Sequence, residues 1–348
     1  MPFSTDHLNT IVNAISAVSL AHEAEIASRL EKQQLVHSDS SVHHLAAKLA
    51  GIYKSMKPAI QAKALACFLG DHGIADIGAS SISAKALSKQ LEQWLSGNGE
   101  LRYLANRLKA RSIFVDVGLS FDLKTQHKIL RRKSGKATLN LLQEPAMTRD
   151  QLERNILVGA EVALQFIERK VNLLCLSTAG RGSTSAAVCI CAKLFDIDSD
   201  LLSGRGGSQL EDVALTTKRL AIAEALKRYK RLDKNDSLSV LETFGGFEIA
   251  AAVGFLLAAS YKAVPVVVDG LPAVAAALIA SRLQERVRGY VFASCLSDEP
   301  ALTFLVKELE LPLILHHRPS YSPAIAALLA LPVLETAAQT AYMAGRDW

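Results

Sequence analysis

A chain of 348 residues, half of them hydrophobic, is long enough for one large α/β domain with an appendage or for two ordinary domains, and its formal net charge of +5 suits a binder of small anions. The five cysteines (Cys67, Cys175, Cys189, Cys191 and Cys295) are odd in number and form no CxxC pair, which argues against a disulfide framework and against a zinc site, so no metal is expected. Much of the basic excess lies in the runs Lys128 to Lys136 and Lys227 to Lys234, which read as solvated helix ends or loops; no aromatic residues interleave the first, and no nucleic-acid partner is expected.

Residues 1–40 carry helical spacing without strand signals, and the first residues lack the basic start and apolar block of a signal peptide, so a cytoplasmic protein is expected. Ala64 to Leu69 is a weak strand candidate. Stronger ones follow at Ser112 to Val117, Val171 to Leu176, Pro265 to Asp269, Tyr290 to Ala293 and Leu313 to His316, all short, apolar and in part β-branched, as buried parallel strands are. Helical stretches such as Arg149 to Lys170 and Ala214 to Tyr229 separate them. The apolar runs near Leu256 and Val274 are Ala-rich and interrupted, so they read as buried helices and no membrane partner is expected. Ala324 to Met343 is helical again.

This alternation predicts a doubly wound parallel sheet, with ligands gathered at the carboxyl ends of its strands. Residues 1–40 with about 324–348 are expected to form a small helical subdomain, and about 41–323 the large α/β nucleotide-binding domain. Several predicted strands run straight into glycine-rich or polar turns: GDHG at Gly70 to Gly73, STAGRGSTS at Ser177 to Ser185, and Asp269-Gly270.

The Ser177 turn sets Gly180, Gly182, Ser183, Thr184 and Ser185 between a strand and an Ala-rich helix. Close backbone approach, free first-turn N–H groups and the helix dipole together suit a phosphate, although such a turn also serves as a plain connection. A second cluster, SGRGGSQLED from Ser203 to Asp212, offers Gly204, Arg205 and Gly206 before another helix that continues through Lys218 and Arg219. Arg205 reads either as a charge-assisted phosphate ligand or as a surface arginine. Asp71 and His72 could look like an acid/base pair, but an Asp opening a turn more often caps backbone N–H groups. GGFEIAA at Gly245 opens a helix with Glu248 in its first turn, where a carboxylate can face a ribose or a base nitrogen. His316 and His317 follow the last strand and could reach the same region.

In order and spacing these segments resemble the family of nicotinate mononucleotide:5,6-dimethylbenzimidazole phosphoribosyltransferases, from about Leu69 to Met343. The resemblance rests on GDHGIADIGAS at Gly70, FVDVG at Phe114, TLN with EPAMTRDQ from Thr138, the Gly180 turn, GRGGS at Gly204, GGFEIAA at Gly245, PVVVDG at Pro265, SDEP at Ser297 and LALPVL at Leu329. It implies a Rossmann-like sheet with a small helical domain, a dimer, no cofactor, and transfer of phosphoribose from nicotinate mononucleotide to an aromatic base. It further implies that the donor phosphate lies against the Gly180 and Gly204 turns, and that the base pocket lies near Ser80 and the loop after the last strand, within reach of His316 and His317.

In the family a glutamate in a GEG loop takes the proton from the attacking base. Its place here is Pro323, or Ser322 with one residue gapped, and no acid occurs between Glu310 and Glu335. The family's GEMGIGNTT turn reads STAGRGSTS, so Thr178 stands for its glutamate, Arg181 for its isoleucine and Ser183 for its asparagine. Its Tyr-Pro pair reads Ile82-Ser83, and the arginine of its TRN triplet reads Leu139. The catalytic residue is therefore unassigned. Three readings follow: a catalytically degenerate subunit paired with a competent homologue; an active enzyme, on a phenolic acceptor for instance, whose base has moved to His316, His317 or Glu248; and a non-enzymatic nucleotide or base binder, with Arg181 either filling the phosphate seat or strengthening it.

Overall fold

The computed structural model describes residues 5–32, 41–78, 80, 82–96, 99–123, 129–206, 209–317 and 322–346. Lys128, and Gly207 with Ser208 of the second glycine cluster, lie outside the described residues. Seven strands form one parallel sheet: β1 (Lys63–Gly70), β2 (Ala110–Gly118), β3 (Ile129–Arg131), β4 (Leu173–Ala179), β5 (Val266–Asp269), β6 (Val291–Cys295) and β7 (Leu313–Leu315). Their spatial order is β3-β2-β1-β4-β5-β6-β7, so the winding direction reverses between β1 and β4. That reversal opens a crevice beyond the carboxyl ends of the two strands, the usual place for a ligand in such sheets.

All residues of β1, β4, β5 and β6 are buried, which requires helices on both faces of the sheet. The expected doubly wound α/β architecture is what the chain adopts. β1 was the weakest candidate in the sequence, because KALACFLG is short of β-branched residues, yet it sits inside the sheet with a neighbour on each side. Strand preference here follows burial between neighbours more than local propensity. β3 corrects the reading of the Lys128 to Lys136 run as helix end or loop: Ile129–Arg131 pairs with Phe114–Asp116 at the sheet edge. Three residues are too few for a period-two pattern, and basic side chains are tolerated where only one neighbour exists.

The helices Phe247–Tyr261 and Leu271–Leu283 are the two apolar runs, and they are buried along almost their whole length. Phe247–Tyr261 lies between the sheet and Arg149–Glu168, a helix started by a reciprocal capping box of Thr148 and Gln151. Their backbones touch. A Cβ at Gly159 would lie 1.7 Å from the Ala251 carbonyl oxygen, and one at Gly254 would lie 1.8 Å from that of Ile156.

The last helix, Ile325–Ala344, exceeds the length expected of the apolar runs: by length and composition alone it could cross a membrane. Here it packs on Ser41–Tyr53, Leu20–Lys32 and strands β5 to β7, so its apolar face is used inside the fold. Thr5–Ala14 packs instead on Phe247–Tyr261 and Arg149–Glu168, and one continuous hydrophobic core joins the terminal helices to the sheet.

Candidate active site

An open cleft of about 1210 Å³, mouth included, lies at the carboxyl ends of β4, β5 and β6. One wall is the β4 turn. The Gly180 backbone crosses the end of β1 so closely that a Cβ there would lie 1.6 Å from the Gly70 carbonyl oxygen. Gly182 adopts φ +84°, a conformation that favours glycine, and launches the helix Ser183–Phe195. Gly180, Gly182, Ser183 and Thr184 all line the cleft, with the positive end of that helix dipole facing it. Ser185 is tucked behind them, 1 % exposed, and does not line the cleft.

The second glycine turn approaches from the other side, and Gly206, at φ +74°, lines the cleft. A residue that motif reading passed over joins the two turns. Lys218 is 1 % exposed, and its ammonium donates to the Gly204 carbonyl (2.8 Å) and the Thr184 hydroxyl (3.2 Å), with Glu299 Oε2 at 3.9 Å. Burial pushes the Lys218 ammonium below the usual lysine range, and the Glu299 carboxylate opposes that shift. In the sequence Lys218 was only one more lysine on a helix. Nothing local distinguishes a lysine that faces inward.

Three expected site residues, Arg205, His316 and His317, stand outside the cleft lining. Arg205 is half exposed and ties its guanidinium to the Leu210 carbonyl (2.6 Å) and the Asp212 carboxylate, outside the cleft lining. His316 and His317 are exposed and also stand outside it. Glu248 is sealed in: its Oε1 lies 2.7 Å from His72 Nε2, and neither side chain is exposed. It faces no ligand. Asp71 has the capping role, accepting from the N–H groups of Arg181 (2.9 Å) and Ser120 (3.2 Å).

Arg181 lines the cleft, but its guanidinium points into an acidic cluster. It pairs with Asp76 at 2.9 Å and Asp71 at 3.5 Å, and lies 3.5 Å from the Ser120 hydroxyl. It therefore braces the β4 turn against the turn after β1. Another part of the lining is mostly apolar, built from Ile82, Leu87 and Trp94 with Ser80 and Gln90, which suits a flat aromatic ring.

The family model whose description reads "Phosphoribosyltransferase" matches residues 15–345. The chain belongs to the phosphoribosyltransferase family. It is 34 % identical over 337 residues to a nicotinate-nucleotide–dimethylbenzimidazole phosphoribosyltransferase from Syntrophobacter fumaroxidans, covering 96 % of this chain and 95 % of that one. A relative of the same description from Dehalococcoides mccartyi is 30 % identical, covering 91 % of each chain. The crystal structure of CobT from Thermus thermophilus superposes with a TM-score of 0.85 at 29 % identity, over 92 % of this chain and 96 % of that one.

Ser322, Pro323 and Thr178, the positions where the sequence resemblance leads one to expect acids, line the cleft. The acids lining the cleft among the described residues are Asp269, which accepts from the Ser294 hydroxyl (2.7 Å), and Glu299, which accepts from the Gly206 N–H (2.5 Å). Ala324, next in the loop, adopts φ +69°. Among the described residues no group of three or more His, Cys, Asp or Glu is arranged to hold a metal ion.

Proposed function

We propose that this chain binds nicotinate mononucleotide in the β4 cleft and serves, as the catalytically degenerate subunit of a pair, in phosphoribosyl transfer to the lower-ligand base of a cobamide. The observation that carries this reading is the cleft rim at Ser322 and Pro323, which holds no carboxylate. The phosphate seat speaks for donor binding. Two glycine turns and a helix N-terminus converge there, with the buried Lys218 ammonium bonded to Thr184 of that helix, and the apolar wall with Trp94 suits the aromatic partner.

In the reaction a base nitrogen or phenolic oxygen attacks the anomeric carbon, and nicotinate leaves with the electron pair of the broken C–N bond. The acceptor must then lose its proton to a base within hydrogen-bond reach. Asp269 and Glu299 are already engaged, and Glu248, His316 and His317 stand outside the cleft, which weighs against a relocated base. A competent homologue would run this step in its own cleft. The five cysteines are free and buried, which suits the reducing cytoplasm.

The test is turnover of the purified chain with nicotinate mononucleotide and either dimethylbenzimidazole or phenol, alone and mixed with a homologue bearing the GEG loop, with the complex followed by size-exclusion chromatography. The expected result is no turnover alone, a stable complex, and turnover in the mixture above that of the homologue by itself. Turnover by the chain alone would overturn the degenerate assignment; donor binding with no complex would leave a storage or delivery role.

A further inference from the structure

The two glycine turns are coupled through a buried ion pair between residues far apart in the chain. Glu299 follows β6, is 6 % exposed, and uses Oε1 to accept from the Gly206 N–H. Gly204 has no room for a side chain because this carboxylate fills the space: a Cβ there would lie 2.7 Å from Glu299 Oε1. On its other side the carboxylate faces Lys218 Nζ, which bridges Gly204 and Thr184.

A buried ammonium needs a compensating charge to remain protonated. The groups facing Lys218 are the neutral Gly204 carbonyl and Thr184 hydroxyl, the Cys189 thiol, the Arg219 guanidinium and Glu299. Burial pushes the Cys189 thiol up to about 12, so it carries no charge near neutrality. Arg219 has the wrong sign. Among these groups only Glu299 supplies negative charge.

We propose that Glu299 is a positioning residue for the donor's phosphate, holding Lys218 cationic and the Gly204–Gly206 turn in shape without touching the donor. This rests on the reading that the cleft takes a phosphorylated donor. A neutral amide in its place leaves Lys218 desolvated and uncompensated, so the lysine loses its proton at a lower pH. Below that point the seat is one charge more positive and holds the phosphate at least as well. Above it the seat has lost its cation. A purely structural role for Glu299 would weaken binding equally at every pH.

The experiment uses the full chain and its Glu299→Gln variant, with lysine 13Cε labelling to follow the Lys218 titration by NMR. Calorimetry with nicotinate mononucleotide runs alongside from pH 7.5 to 9.5, a window in which the phosphate, with its second pKa near ~6, stays doubly ionised. The expected result is a fall of about one unit or more in the Lys218 midpoint and a rise of about tenfold or more in the ratio of variant to wild-type Kd across the window. Adding Lys218→Arg, whose guanidinium stays protonated, should flatten that ratio. An unchanged Lys218 midpoint with a flat ratio overturns the proposal. Should Glu299→Gln fail to fold, Glu299→Asp, which keeps the charge at shorter reach, is titrated instead, and a Lys218 midpoint raised or lowered by less than about 0.3 units by that substitution overturns it too. A lowered midpoint in a chain that binds no nicotinate mononucleotide at any pH would leave the ion pair standing and overturn the functional reading.

Discussion

His72 Nε2 lies 2.7 Å from Glu248 Oε1, and neither side chain is exposed to solvent. The pair binds the turn after β1 to the first turn of the helix Phe247–Tyr261, directly behind the Gly180 turn: a Cβ on Gly182 would lie 2.9 Å from that of His72. Removing one partner strands a buried polar group, so Glu248→Ala should cost about 3–5 kcal/mol. Urea unfolding of both single alanine variants and the double variant checks this. The double should cost less than the sum, and additive losses would mean the two residues do not interact.

Gly180 has a backbone oxygen where a side chain would go. Gly180→Ala must therefore push the β4 turn off the end of β1, with an expected loss above ~4 kcal/mol. A thermal melt of the purified variant reads it; a transition within a few degrees of wild type would show that the turn can shift freely.

Arg181 stands between the two glycines of the β4 turn, yet its guanidinium is committed to Asp71 and Asp76. A direct grip on the phosphate would be worth about 1.5–3 kcal/mol, more than tenfold in Kd. Arg181→Ala is expected to change the Kd for nicotinate mononucleotide by less than about tenfold, measured by calorimetry, while lowering stability by ~1–2 kcal/mol through the loss of the brace.

Ala324 holds φ +69° without being glycine, a conformation that costs an alanine roughly 1 kcal/mol. Ala324→Gly should recover ~0.5–1 kcal/mol in chemical denaturation, and a destabilised variant would mean that the loop is not strained there. The left-handed residue sits where a GEG loop would end if its glutamate fell at Pro323. Rebuilding that loop with Ser322→Gly, Pro323→Glu and Ala324→Gly should give turnover in the chain alone. Persistent inactivity would show that the residues at 322–324 are not what limits turnover.

Much of the fold was legible in the sequence. Val266–Asp269 and Val291–Cys295 are short apolar runs buried on both faces, and Gly180 and Gly182 stand at a strand-to-helix turn, so periodicity and turn chemistry were enough to find them. β3 escaped because three residues of an edge strand carry no periodic signal. Arg205 was not legible for a related reason: its backbone position is set by the glycine turn, but a long side chain goes wherever its partners are, and here those are the Asp212 carboxylate and the Leu210 carbonyl.

The sequence by itself determined the parallel α/β architecture and the two glycine turns, because these depend on neighbours within a few residues or on residue identity alone. Only the tertiary structure decided which charges face one another. Lys218 with Glu299, His72 with Glu248, and Arg181 with Asp71 and Asp76 are joined by the packing of elements far apart in the chain, and burial rather than spacing makes each pairing necessary.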